Sequence, residues 1–443
     1  MNLKSKVKSF IPERLISFYH FMLAFSAAFY YGWPSKKMIV IGITGTKGKT
    51  SATNFIWSVL MAGGYKTGLI GTANIRIGDI EMLNKYHMTM PGRFTLQKLL
   101  KQMIDAGCKF AIVETTSEGI KQWRHYGIFY DVAVFTNLTP EHLEAHGGDF
   151  LKYRNAKGRL FNTLKNGSRK IIGGKEVKKT IIANSDNQHS DYYLNFWADE
   201  KITYGLNSGD ILAKGIKNNP DGLEFFIGAE KYSINILGKF NVCNALPAVV
   251  IGKIFEISND KIREGLKNIK IIPGRMEKVN EGQNFIVFVD YAHEKEGMTA
   301  VLETAREIAA QSLGKVVVLL GAEGGGRDKS KRPILGEIAA KNADFVIISN
   351  VDPYEDDPKE ICENIAIAAE NPPGGAGKTR GKDLFVIEDR RGGIKKALSL
   401  ARKNDVVLIT GKGAEQSIVI GGRRFPWDDR VVVSEELNQI FKN

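Results

Sequence analysis

Cysteine is scarce: Cys108, Cys243 and Cys362 are the only three in 443 residues, and they lie far apart. An odd, scattered set excludes a disulfide framework and a cysteine-built zinc site, and it suits a reducing compartment. Aromatic and basic residues are not interleaved and no nucleic-acid motif occurs, so the excess of 62 Lys and Arg over 49 Asp and Glu has another reason. A net charge of +13 suits polyanionic small molecules or an anionic membrane surface, and on charge alone would admit nucleic acid. With 43% apolar and 25% charged residues the chain is not of disordered composition, and its length predicts two or three domains.

One stretch has no charge at all. Residues 15–33 contain no Asp, Glu, Lys or Arg; Lys4, Lys6 and Lys8 precede them, and Pro34, Lys36 and Lys37 follow. Three readings compete: a helix docked on the protein core, a helix lying on a membrane with its lysines toward anionic lipid, and a spanning helix or uncleaved signal. Ser17, His20 and Ser26 weigh against spanning, and no small-residue cleavage site stands out.

What is present is most informative at Met38-Ile-Val-Ile-Gly-Ile-Thr-Gly-Thr-Lys-Gly-Lys-Thr50. Residues 39–43 read as a buried parallel strand, and 51–61 as a helix with Phe55, Ile56, Val59 and Leu60 on one face. The glycines between them let backbone N–H groups close on phosphate oxygens, and the helix N-terminus adds partial positive charge. Gly45, Thr46, Lys47, Gly48, Lys49, Thr50 and Ser51 are the expected ATP-binding residues, with Lys49 at the terminal phosphates and the Thr50 hydroxyl on Mg²⁺. Five residues separate Gly42 from Gly48, so the spacing is not the strict form of such loops. An ordinary turn of small residues is the bland alternative.

Gly-Thr-Lys-Gly-Lys-Thr resembles the Mur ligase superfamily of ATP-dependent amide-forming enzymes, and most of the chain from residue 38 onward matches in order. Later motifs resemble the branch that adds the third amino acid to a UDP-N-acetylmuramoyl-dipeptide. The resemblance implies an α/β fold: a short, basic and apolar N-terminal helix at 1–37, a central doubly wound P-loop ATPase domain at 38–273, and a C-terminal Rossmann-like α/β domain at 274–443. The family's uridine-nucleotide-binding domain does not fit into 37 residues. The expectation is therefore a UDP portion held differently, or a substrate without one, such as a lipid-linked muropeptide.

The family binds the muramoyl-peptide with a Thr-Thr-Pro segment; here Thr89 and Pro91 match and Met90 replaces the second threonine. Phe110-Ala-Ile-Val-Glu114 reads as a buried strand ending in an acid, where parallel sheets gather ligands and a carboxylate suits Mg²⁺. The resemblance makes Glu114 a Mg²⁺ ligand and Thr116, Gln122 and Arg124 muropeptide contacts, with Glu118 where the family has histidine. His142 and His146 are four apart, one face of a helix, without a third soft ligand for zinc. The resemblance instead puts Asn137 at the nucleotide and His142 among the catalytic residues, at a second Mg²⁺. Lys157 alone would read as a solvated helix lysine; its match to Ala-Lys-x-x-Leu-Phe implies a carbamylated lysine bridging the metals. Asn241 and Asn244 match residues near the adenine end of ATP. Arg275, in a hinge motif, and Asp290 and His293 complete the implied ATP set.

Strand-like runs at 285–289, 316–320, 345–348, 384–387 and 406–409, alternating with helical patterns, predict a second doubly wound sheet. The loop from Gly321 through Arg327-Asp328 to Lys331-Arg332-Pro333 is specific to the resemblance. Arg327, Gly411 and Glu415 align with contacts to the incoming amino acid, and Asp352 and Tyr354 lie in the specificity segment. Members adding diaminopimelate show Asp-Asn-Pro-Arg there, whose arginine clamps a distal carboxylate. This chain has Val351-Asp352-Pro353-Tyr354 followed by three acids, which favours lysine or ornithine.

The implied reaction is cytoplasmic peptide-bond formation in peptidoglycan synthesis. ATP activates the peptide carboxylate as an acyl phosphate, an α-amine displaces phosphate, and domain closure protects the intermediate. Small molecules are the expected partners, with no nucleic acid, and residues 15–33 offer a membrane contact. Two other readings stand: another ligase of the superfamily, folylpolyglutamate-like or acting on a lipid-linked muropeptide, and a non-catalytic nucleotide-binding partner. Intact Lys49, Glu114, His142 and Lys157 argue against the last.

Overall fold

The computed structural model describes residues 12–86, 88–141, 143–167, 169–172, 174–219 and 222–441. The chain divides into two compact units, Met1–Asn235 with Asn241–Ile269, and Ile236–Phe240 with Lys270–Asn443.

The first unit is built on an eleven-stranded sheet. Its middle runs Glu200–Gly205, Thr180–Asn184, Val132–Phe135, Ile39–Thr44, Phe110–Glu114 and Thr67–Ile70, all parallel. Ile39–Thr44, Phe110–Glu114 and Val132–Phe135 at its centre are buried on both faces, which is why they read as continuous apolar segments. Ile39–Thr44 has Phe110–Glu114 on one side and Val132–Phe135 on the other, so the strand order reverses around it. Crevices at such a reversal, beyond the carboxyl ends of the strands, are where this architecture binds ligands. At the opposite end Asp131 is fully buried and accepts Val40 N–H at 2.8 Å, Lys170 Nζ at 2.5 Å and Lys179 Nζ at 2.8 Å. Removing one member of such a set would strand buried charge, so the triad locks these strands together.

The helix predicted after the glycine loop spans Lys49–Ala62 and is buried nearly all round, beyond the single apolar face expected of it. Residues 15–33 fall largely within the helix Glu13–Tyr30, which docks through Ala24, Ala27 and Ala28. Phe21 meets Trp123 and Tyr126 edge-on, and Trp123 Nε1 donates to Ser17 Oγ at 2.8 Å. No helix among the described residues is long and apolar enough to cross a membrane, which removes the spanning reading of this segment.

His125 is buried with its ring stacked on Trp123, and burial, aided by Arg159, lowers its imidazole to about 4. An unfolded chain protonates it near 6.5, so its neutral burial stabilises the fold at neutral pH and is lost as pH falls from about 6.5 toward 4. Between pH 7 and 5 the first unit should lose about 2 kcal/mol through this group. Urea unfolding of His125→Asn at the two pH values should lack that share of the loss; an unchanged pH slope would count against it.

The second unit has a six-stranded sheet in the order Glu277–Val279, Ile286–Asp290, Val406–Thr410, Val316–Leu320, Phe345–Ile348 and Leu384–Val386. Only the first pair is antiparallel. Buried Arg390 grips Asp429 at 2.6 and 2.8 Å and also donates to the carbonyls of Asn350 and Thr410. It thereby ties the loop after Phe345–Ile348 to the end of Val406–Thr410, across the intervening strand Val316–Leu320, and holds the loops that carry Asp352 and Gly411.

Candidate active site

In the first unit the glycine loop connects the carboxyl end of Ile39–Thr44 to the helix Lys49–Ala62. Gly48 has φ +79°, and a Cβ there would lie 2.1 Å from Asn244 Oδ1. Asn244 in turn donates to Asn241 Oδ1 at 3.1 Å, so both predicted asparagines stand at the loop. Asn137 Oδ1 accepts Lys47 N–H at 2.8 Å, and its Nδ2 donates to Lys47 O at 3.1 Å. Lys47 pairs with Glu141 at 2.7 Å.

Lys49 Nζ donates to Gly45 O at 3.0 Å and Thr46 O at 2.9 Å. Lys157 Nζ, from the helix Phe150–Asn166, donates to the same Gly45 carbonyl at 2.8 Å and lies over the Tyr153 ring. The bare-sequence reading of Lys157 as a solvated lysine is thus wrong, because it is only 2% exposed. Burial, followed by the neighbouring Lys49, pulls its ammonium well below the usual lysine range, with Glu141 opposing.

Glu114 ends the adjacent strand and is fully buried. Its carboxylate accepts Thr72 N–H at 3.1 Å, Thr72 Oγ1–H at 2.8 Å and Thr53 Oγ1–H at 3.5 Å. No ion pair reaches it among the described residues. A buried carboxylate held by neutral donors favours a cation, and Glu114 and the predicted Thr50 hydroxyl are both hard oxygen donors of the kind Mg²⁺ takes. His142 lies outside the described residues.

Thr89 joins this cluster through Thr72, the two hydroxyls being 2.9 Å apart. Arg124 donates to Met90 O and, at 2.7 Å, to Gln122 Oε1. Arg93 donates to Gln122 O at 2.6 Å, which places a second guanidinium beside the first. Thr116 caps the short helix Ser117–Lys121 through Gly119 N–H at 3.1 Å.

Arg275, Asp290 and His293 belong to the second unit. Arg275 lies over the Tyr291 ring at 4.5 Å, Asp290 accepts the N–H groups of Met276 and Ala292, both at 2.7 Å, and His293 Nδ1 meets Tyr291 O at 2.7 Å. The residues predicted to hold the amino acid converge here. Buried Lys412 bridges Asp352 at 2.7 Å and Glu415 at 2.5 Å, and Tyr291 OH donates to Glu415 at 3.4 Å. Burial raises the Glu415 carboxyl against the pull of Lys412. Tyr354 takes the left-handed conformation, φ +55°, rare for an aromatic. Its ring lies against Gly325, where a Cβ would come within 2.7 Å, and its hydroxyl bonds Arg327.

Two family models match the chain: Mur ligase middle domain over residues 43–252, and Mur ligase, glutamate ligase domain over residues 274–413. A UDP-N-acetylmuramoyl-L-alanyl-D-glutamate–2,6-diaminopimelate ligase of Geobacillus kaustophilus is 37% identical over 429 residues, which cover 95% of this chain and 83% of that protein. The chain belongs to the Mur ligase family. A solved structure bearing the same enzyme name is 26% identical, with a TM-score of 0.59 over 91% of this chain and 79% of the other. A Mycobacterium tuberculosis folylpolyglutamate synthase solved with ADP and AMPPCP is 17% identical, with a TM-score of 0.68 over 96% and 95%, a likeness of fold alone.

For a Mur ligase read from sequence, several contributors were missed. Thr72, Tyr153, Glu141 and Arg93 were not singled out, and Glu323 lies inside the Gly321 to Pro333 loop without having been given a role. The available signals were position just beyond a strand end for Thr72, and for Glu323 its place in that glycine loop. Acid crowding after Tyr354 also needs correction. Asp357 caps the helix Pro358–Glu370 and Asp356 leans toward Arg332 at 3.7 Å, so these charges serve local structure.

Proposed function

We propose that this Mur ligase adds an amino acid to the terminal carboxylate of a UDP-N-acetylmuramoyl-dipeptide-like acceptor, with ATP converted to ADP and phosphate, in peptidoglycan synthesis. The observation that carries the reading is Lys157, a buried amine beside the phosphate loop whose ammonium is pulled well below the usual lysine range by burial and by Lys49. A neutral amine adds CO₂ to give a carbamate and release a proton. That anion, with Thr50, Glu114 and His142, is the set that would hold Mg²⁺. When bound, Mg²⁺ supplies charge neutralisation for the phosphoryl group. The loop amides and Lys49 orient the triphosphate, and Thr89, Arg124, Gln122 and Thr116 hold the acceptor so that its carboxylate oxygen attacks the γ-phosphorus. The amine then attacks the acyl phosphate carbon and phosphate leaves. ADP release requiring both the dipeptide acceptor and an amino acid tests this, run with and without the UDP group. Release indifferent to both would overturn it.

The incoming amino acid is lysine or ornithine on this reading, although relatives are named for diaminopimelate. Tyr354 replaces the arginine that would grip a distal carboxylate. Glu323, in the loop after Val316–Leu320 and paired with Lys331 at 3.2 Å, supports an ammonium partner: burial would raise its carboxyl, yet His293, Lys331 and Arg327 hold it down to about 2. Glu323→Gln should lower kcat/KM for lysine and ornithine by about 10- to 100-fold, the loss of one charged hydrogen bond. A wild-type preference for diaminopimelate, or an indifferent variant, would reverse the assignment. We place the reaction in the cytoplasm, which the three unpaired cysteines support.

A further inference from the structure

The helix Glu13–Tyr30 has two apolar faces, and the fold uses one. The alanine face is buried, as described above. On the other side Leu15, Phe18, Tyr19, Met22, Phe25 and Phe29 recur in steps of three and four and are 59%, 62%, 59%, 42%, 39% and 70% exposed. Tyr30 and Phe94 extend this surface, their rings 6.4 Å apart and both exposed. A continuous exposed stripe of large apolar side chains marks an interaction surface.

Charge selects the partner. Residues 1–37 hold six Lys or Arg (Lys4, Lys6, Lys8, Arg14, Lys36, Lys37) against one acid, Glu13. That acid is already paired with Lys121 at 3.1 Å. Lys36 stands over the Trp33 and Phe129 rings at 5.5 and 4.9 Å, a cation beside the apolar stripe. A second copy docking by this face would bring basic flank against basic flank in either orientation. We propose that the stripe is a docking surface for an anionic lipid bilayer, on which the helix lies flat with aromatics at the headgroup boundary and lysines toward lipid phosphate. The helix docks without spanning. The surface is separate from the ligase chemistry and stands or falls independently of it.

Vesicle flotation of the full chain tests this. Partitioning onto phosphatidylcholine vesicles containing one quarter phosphatidylglycerol should exceed that onto phosphatidylcholine alone by at least about tenfold, and fall at high salt. Phe18→Ser/Phe25→Ser/Phe29→Ser alters exposed positions only; it should lose binding while keeping ADP release. Lys36→Glu/Lys37→Glu should weaken partitioning by about fivefold or more per charge. Equal recovery in the bottom fraction with both vesicles would overturn the proposal. So would sedimentation showing a dimer that the triple serine variant dissociates, without flotation, which would assign the stripe to a second copy.

Discussion

Lys157→Ala is expected to lower kcat by at least about 10³-fold, because it removes the amine whose carbamate would help hold Mg²⁺ at the phosphoryl group. The fold should survive. Gly45 O keeps Lys49 Nζ as a donor at 3.0 Å, so no buried carbonyl is stranded. Acetate or propionate should restore part of the activity by placing a carboxylate where the carbamate stood, and Lys157→Arg should not be rescued. In wild type, degassed buffer should depress the rate and bicarbonate restore it, with a ¹³C carbamate resonance from labelled CO₂. Acid should oppose carbamate formation, since protonating the amine blocks it. Full activity in the alanine variant would remove Lys157 from the chemistry; normal melting with no rescue would reduce it to a plain cation.

Gly48→Ala is expected to weaken ADP and ATP binding by about 100-fold. Alanine in the left-handed conformation costs about 1–2 kcal/mol. Its Cβ would also meet Asn244 Oδ1 at 2.1 Å, forcing Asn244 off Asn241. The loop amides that should face phosphate would turn with it. Titration calorimetry of Gly48→Ala, Asn244→Ala and the double variant separates the causes. If the clash matters, the double variant binds more tightly than the sum of the single losses allows. Strict additivity would leave backbone strain as the whole effect, and wild-type affinity in Gly48→Ala would refute both.

The acid cluster after Tyr354 shows where local reading fails. Charge composition counts Glu355, Asp356 and Asp357 alike. Capping depends on where the next helix starts, and pairing depends on an arginine more than twenty residues earlier in the chain. Lys157 fails in the opposite direction: residue type alone would leave it solvated, and packing buried it.

Strand positions in both units, the glycine loop and its lysine, and the acid at the end of Phe110–Glu114 were legible in the amino-acid order, because buried parallel strands and tight turns are set by neighbours within a few residues. Tertiary structure alone decided that Lys49 and Lys157 share one carbonyl, that Thr72 links Glu114 to Thr89, that Glu323 sits among His293, Arg327 and Lys331, and that Glu13–Tyr30 spends one apolar face on the protein and leaves the other outward. Those outcomes rest on groups tens of residues apart in sequence, whose protonation and exposure depend on what packing brings beside them.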